Sequence, residues 1–224
     1  LQADVEVKKG LKIGDVDPRK DNSLVCLISD KSRKIGQGVC QAVDTLLQRK
    51  TGILLLAAGT SSRYGKNKLL EFVEKEPMYG HSLGILQTFT ESPRVVVTRF
   101  AEIENMAVEY GILTVQNDEP EKGIAWSLHK GLQKLWAEYP ALQGVLCMVS
   151  DQPWLQVRTV QHILEKAALH PERIVCAGTK EHPGNPVWFG KDFFPELLAL
   201  EGDIGGRQVL RKHPDCIWYC PTEQ

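Results

Sequence analysis

Residues 51–68 read TGILLLAAGTSSRYGKNK. The first part is apolar without alternation, as expected of a short strand buried on both faces, whereas a strand with one wet face would show apolar and polar residues in turn. The second part has almost no bulk: small residues, three hydroxyls in Thr60, Ser61 and Ser62, and the cations Arg63, Lys66 and Lys68. Small residues let backbone N–H groups approach a polyphosphate closely, and Arg63 and Lys68 can neutralise charge that moves towards a leaving pyrophosphate. The alternative is a solvated basic loop. Neither the dinucleotide pattern GxGxxG nor the P-loop pattern is matched, so this is a phosphate loop of another kind.

Outward from this stretch, strand and helix patterns alternate. Apolar runs at 53–57, 94–98, 112–115, 144–149 and 173–177 are separated by helical stretches at about 79–90, 101–110, 124–138 and 156–169. The expected class is α/β, a three-layer Rossmann-like arrangement with a mostly parallel sheet covered on both faces. Ligands on such sheets bind at the carboxyl ends of strands, so chemistry is sought in the loops after Ala57, Val115 and Val149.

The run ending at Val149 meets Ser150-Asp151-Gln152-Pro153, which puts a carboxylate at a strand end. Magnesium binds few carboxylates and keeps the rest of its shell for water and phosphates, so Asp151 suits it. As a lone residue, Asp151 serves equally well as a turn former or as the N-cap of the helix at 156–169. The loop after Val115 offers Asn117 and Gly123, with Ser127 on the helix beyond it. Two more glycine-rich turns are expected, Gly184-Asn185-Pro186-Val187 and Gly202-Asp203-Ile204-Gly205-Gly206-Arg207, the second adding a carboxylate and an arginine.

Composition narrows the ligand. With 27 basic and 28 acidic residues among 224 and a formal charge of -1, there is no electrostatic footprint for nucleic acid or anionic lipid. A small polar substrate is expected. The apolar runs fall far short of the ~18 residues of a membrane span and no signal-peptide pattern opens the chain, so a cytoplasmic protein is expected. Six cysteines show no CxxC pair, and reduced thiols are expected in place of a disulfide framework or a zinc site at His213, Cys216 and Cys220.

Taken in order, LAAGTSSRYGKNKLL, NDEPEKGIAWSL, SDQP, PGNPVWF and GDIGGRQVL resemble the successive motifs of molybdenum cofactor cytidylyltransferases, within the wider family of MobA-like transferases. The resemblance runs over about residues 51–220. It implies a triphosphate held by the first motif and Mg2+ held by the aspartate of the GD-x-P type motif, which map to Gly59, Arg63, Lys68 and Asp151. It also implies nucleotide contacts at Ala57, Ala58, Thr60, Ser61, Asn117, Gly123 and Ser127, and a supporting role for Asp203 at the metal. Three departures stand out: Ser150 in place of glycine, Asn185 in place of a common histidine, and Tyr64 in place of methionine.

The reaction implied by the resemblance is transfer of CMP from CTP to the molybdopterin cofactor, with release of pyrophosphate. The product would pass to a xanthine-dehydrogenase-like molybdenum hydroxylase apoenzyme. Competing readings are a guanylyl- or sugar-phosphate nucleotidyltransferase, or a non-catalytic cofactor carrier or insertion chaperone on the same fold. Residues 1–50 form a separate region, with short strands expected at 5–18 and a helix at 35–47. They resemble the C-terminal end of the selenium-dependent molybdenum hydroxylase maturation protein, so the chain is expected to carry the remnant of an upstream domain. Residues 51–224 would be the transferase domain, lacking the family's last helix.

Overall fold

The computed structural model describes residues 30–48, 50–59 and 67–221. Helix α1 (Asp30–Gln48) covers the helix expected at 35–47; on it, Ile35, Val39 and Val43 are exposed, one helical turn apart. The strands expected at 5–18 lie outside the described residues.

Beyond α1, strands and helices alternate along the chain: β1 (Thr51–Ala57), the hairpin strands β2 (Phe72–Val73) and β3 (Glu76–Pro77), α2 (Met78–Gln87), β4 (Arg94–Thr98), α3 (Ala101–Glu109), β5 (Leu113–Gln116), α4 (Gly123–Glu138), β6 (Gly144–Val149), α5 (Val157–Leu169), β7 (Ile174–Gly178), β8 (Pro183–Gly190), α6 (Phe194–Leu198), α7 (Arg207–Lys212) and β9 (Ile217–Cys220). The main sheet has seven strands in the order β5-β4-β1-β6-β8-β7-β9. All neighbours are parallel except where β8 runs antiparallel between β6 and β7. The sequence alone suggests a turn at 184–187. Those residues instead open β8, which pairs with both neighbours.

Period-two side-chain alternation divides the core into two layers. Ile53, Leu55 and Ala57 of β1 face one side and pack with Leu83 and Leu86 of α2, Ile103 of α3, and Val160 and Ile163 of α5. Leu54, between them, faces the other side with Leu128, Leu132 and Leu135 of α4, Phe194 and Leu197 of α6, and Val209 of α7. Both layers are apolar, which is why β1 and β6 read as unbroken apolar runs.

Helix α4 lies close on the sheet because residue 131 is glycine. A Cβ there would come within 2.2 Å of Leu54 Cδ1 and 2.8 Å of Val97 Cγ2. Gly131→Val is therefore expected to destabilise the fold by about 2–3 kcal/mol through overpacking of a fully buried layer. Chemical denaturation checks this, and a midpoint equal to that of the wild type would count against this packing.

The strand order reverses direction at β1. The chain passes from β1 to β4 and β5 on one side, and then returns to β6 on the other. Such a switch point leaves a crevice at the carboxyl ends of the two central strands, where a ligand can sit between loops that diverge.

Candidate active site at the carboxyl end of the sheet

Two loops leave the switch point. The loop after β1 begins at Ala58 and Gly59 and reaches the described residues again at Asn67. Ala57 and Ala58 are buried, whereas Gly59 is exposed and a Cβ there would meet nothing within 4 Å. Thr60, Ser61 and Arg63, expected from the sequence to hold phosphates, lie outside the described residues.

The loop ends in a 3-10 turn, Lys68–Leu70, capped by Asn67, whose Oδ1 accepts from the Leu69 N–H at 3.1 Å. This cap sets the position of Lys68 across the crevice from the loop after β6. There the Ser150 N–H donates to Leu56 O at 3.1 Å, so β6 stays tied to β1 up to the residue before Asp151. Lys68 Nζ and Asp151 Oδ2 stand 3.9 Å apart, with side chains 38% and 52% exposed. Asp151 does not cap α5, whose N-cap is Gln156. An exposed ion pair of this kind is worth only ~0–1 kcal/mol to folding, so stability does not account for its placement.

A single oxygen ligand beside a flexible cation fits magnesium, which takes few protein carboxylates and completes its shell with water and phosphate oxygens. Among the described residues, it is the Lys68 ammonium that faces Asp151. Among the described residues no group of three or more His, Cys, Asp and Glu could enclose a metal ion. His213, considered with Cys216 and Cys220 as a metal ligand, has its Nε2 2.6 Å from Glu196 Oε1, and Cys220 is buried against the core. Burial pushes the thiols of Cys147 and Cys176 up to about 12 and about 11, so both stay protonated and unreactive at neutral pH.

On the other side of β1, the loop after β5 is organised by Asn117, which is fully buried. Its N–H donates to Thr98 O, its Oδ1 accepts from the Glu119 N–H, and its Nδ2 donates to Ser127 Oγ at 2.9 Å. Because the Ser127 oxygen accepts this bond, its own hydroxyl proton remains to be donated elsewhere. Glu119 pairs with Lys122, and the hydrogen bond from that ammonium, aided by the charges of Lys122 and Lys130, holds its carboxyl below the usual carboxylate range. The pair therefore persists well below neutral pH.

Gly123 opens α4 with φ 81° and ψ -175°. A Cβ there would lie 2.3 Å from Gly202 C, 2.4 Å from Gly202 O and 2.7 Å from Asp203 N. The loop carrying Asp203 thus rests directly on the start of α4, and the Ala125 N–H donates to Gly202 O at 3.1 Å. Gly123 and Asp203 come together at the start of α4, about one turn before Ser127, although 80 residues separate them.

Sequence reasoning passes over Thr98. Its Oγ1 donates to Ala57 O and accepts from the Phe100 N–H, while its carbonyl accepts from Asn117, so it ties the ends of three strands together. A threonine ending an apolar run gives no local sign of this. The same holds for three of the seven buried side-chain atoms that have no hydrogen-bond partner among the described residues: Asn67 Nδ2, Ser150 Oγ and Gln152 Oε1. An unpaired buried polar atom costs ~1–3 kcal/mol, and these three lie on the two loops that leave the switch point.

Several known proteins are similar to this chain. The purine catabolism protein PucB of Bacillus subtilis (strain 168) is 30% identical over 172 residues, which cover 70% of this chain and 79% of that protein. The crystal structure of Rv0371c from Mycobacterium tuberculosis H37Rv superposes with a TM-score of 0.65 at 21% identity, covering 79% of this chain and 90% of that one; its complex with manganese gives 0.62 at 20% identity, covering 78% and 88%. Molybdopterin-guanine dinucleotide biosynthesis protein A from Archaeoglobus fulgidus superposes with a TM-score of 0.54 at 13% identity, covering 76% and 83%. These structural likenesses show the fold alone, but the sequence match reaches further. With residues 53–216 matching the MobA-like NTP transferase domain, a span that holds both loops of the crevice, the chain belongs to that family.

Proposed function

We propose that the protein transfers CMP from CTP to the terminal phosphate of the molybdopterin cofactor. A phosphate oxygen of the acceptor attacks the α-phosphorus of CTP, the bond from that phosphorus to the bridging oxygen breaks, and pyrophosphate leaves with the electron pair. No covalent intermediate on the protein is required. The observation that carries this reading is the pair Lys68 and Asp151, 3.9 Å apart across the switch point, in a member of an NTP transferase family.

In this reading Lys68 moves from Asp151 onto the triphosphate and offsets the charge gathering on the leaving group, together with Arg63. Gly59, Thr60 and Ser61 would give their backbone N–H groups and hydroxyls to the phosphates. Ser127, with its hydroxyl proton left over from the bond to Asn117, would donate to the pyrimidine. Asp151 would hold Mg2+, with Asp203 in support; bound there, the ion would neutralise phosphate charge and orient the reacting groups. The manganese complex of the mycobacterial structure supports a divalent cation in this fold.

Molybdopterin as acceptor is supported by the name of the archaeal protein and by the succession of motifs. PucB, a purine catabolism protein, supports a xanthine-dehydrogenase-like apoenzyme as recipient of the product, since such enzymes oxidise purine rings. The deciding assay mixes protein, CTP, molybdopterin cofactor and magnesium, and measures pyrophosphate. Release that requires all four upholds the proposal, whereas none would leave a carrier on a transferase fold.

CTP is expected to be preferred to GTP. Ala58 is 4% exposed in a segment reading LAAG, where the guanylyl branch resembles LAGG, and its methyl group narrows the space beside the base. One methyl group is worth ~1–3 kcal/mol of discrimination, so Ala58→Gly should relax the CTP preference about 10-fold. Competing the two nucleotides under identical magnesium checks it. A wild type that favours GTP would reassign the donor.

A further inference from the structure

Asp151 is flanked by two side chains that each carry a buried oxygen without a hydrogen-bond partner among the described residues. Ser150 is 1% exposed and its Oγ has no partner among the described residues. Gln152 Oε1 is likewise buried and unpaired, while its Nε2 makes a long contact of 3.4 Å with Asn185 O on β8. Folded proteins pair nearly all of their buried polar groups, so two orphans on either side of one carboxylate call for a physical reason. Packing does not require them, because an alanine or a methionine would fill the same space without an unpaired polar atom.

Their location on the sheet indicates which ligand they meet. The loops expected to hold the nucleotide come after β1 and β5, on one side of the switch point, with Asn117 and Ser127 bound to each other there. Ser150 and Gln152 come after β6 on the other side, and the contact of Gln152 with Asn185 turns it towards β8. A hydroxyl beside the reacting centre has a proton to donate, and a buried amide oxygen has a lone pair to offer.

We infer that Ser150 and Gln152 bind the acceptor substrate: the Ser150 hydroxyl donates to its phosphate, and the Gln152 amide oxygen accepts from an N–H or O–H donor on the ring that carries the phosphate. The ligand class is a phosphomonoester on a polar ring. This rests on the transferase reading, and it adds what the protein reads on the acceptor. It also explains why the protein retains two unpaired groups, since the acceptor completes their hydrogen bonds only when bound.

The test uses the full chain with Ser150→Ala and, separately, Gln152→Met. With CTP, magnesium and molybdopterin cofactor, each variant should raise the acceptor KM about 10-fold while the CTP KM stays within about twofold. Ligand-free melting temperatures should equal or exceed that of the wild type, because each change removes an orphan. A rise in the CTP KM in place of the acceptor KM would overturn the inference, since the two groups would then read the nucleotide. So would a loss of several degrees, which would show that they have structural partners. If the wild type transfers nothing to molybdopterin, that failure belongs to the proposed function. Binding of molybdopterin cofactor without CTP then decides this inference: about 10-fold weaker binding by each variant upholds it, and binding as tight as that of the wild type, or a destabilised variant, ends it.

Discussion

Asp151→Asn is expected to lower nucleotidyl transfer by about 1,000-fold or more, corresponding to ~4 kcal/mol of transition-state stabilisation, while leaving the protein folded. An amide keeps the shape of the carboxylate but not its charge, and so cannot hold a hard divalent cation against water and phosphate. Folding should hardly respond. The Asp151 side chain is about half exposed, and its partner Lys68 stands 3.9 Å away, an arrangement worth ~0–1 kcal/mol to stability. Lys68→Ala should cost about 100-fold in transfer, because its role is confined to charge that develops on the phosphates. Pyrophosphate release at saturating CTP, with melting curves for both variants, separates activity from stability. A folded Asp151→Asn protein with normal turnover would remove the metal assignment, and unchanged kinetics for Lys68→Ala would return the first loop to a solvated basic turn.

The second large effect is expected from Gly123→Ala, a change of one methyl group. At φ 81° and ψ -175° the backbone is in a region open essentially to glycine, which costs another residue ~1–3 kcal/mol. The new Cβ would also meet the backbone of Gly202 and Asp203 at 2.3–2.7 Å, where no flexible side chain can move aside. The loop should therefore lift from α4 and break the bond from the Ala125 N–H to Gly202 O. Asp203 and the start of α4 then lose their common position. Expected are a loss of about 3 kcal/mol or more in stability and about 100-fold in transfer, as misplacement by an ångström can bring. Gly202→Ala is the control: Gly202 has φ 62°, but a Cβ there would meet nothing within 4 Å, so only ~1–2 kcal/mol of backbone strain is expected. Denaturation midpoints for the two variants, with hydrogen exchange at the Ala125 amide, give the ranking. Equal effects would show that the contact at residue 123 carries no weight.

Of the site, the sequence makes legible those parts whose signal is local. Lys68 and Asp151 come after apolar runs, so the rule that ligands bind at strand carboxyl ends singles them out from the order of residues alone. Asn117 and Ser127 stand in or just after the loop that follows an apolar run, and the resemblance adds the nucleotide contact. That they hydrogen-bond to each other, with Asn117 fully buried, is a product of the fold. Thr98 gives no sign in the sequence, and the loop holding Ser150 and Gln152 is legible without their roles, because what distinguishes the three, three bonds made or a bond left unmade, depends on neighbours distant in the chain.

The fold divides along the same line. Unbroken apolar runs at β1, β4 and β6 and the 3.6-residue pattern of α4 and α5 are properties of short windows, and they suffice to indicate the α/β class and a mostly parallel sheet. Strand β8 is different, since its opening, Pro183-Gly184-Asn185-Pro186, has the composition of a turn. Its second half, 187–190, pairs with β6 and β7 in antiparallel register, and the opening continues from it along β7, where Pro183 stands opposite Gly178 beyond a shift in register; that pairing outweighs a weak local preference. The seating of Gly202 on Gly123 lies further beyond sequence reading. Residue type there shows only that two positions lack side chains; that two backbones touch there across 79 residues of chain is decided by tertiary packing, which acts on distances between atoms and leaves no periodic trace in the order of residues.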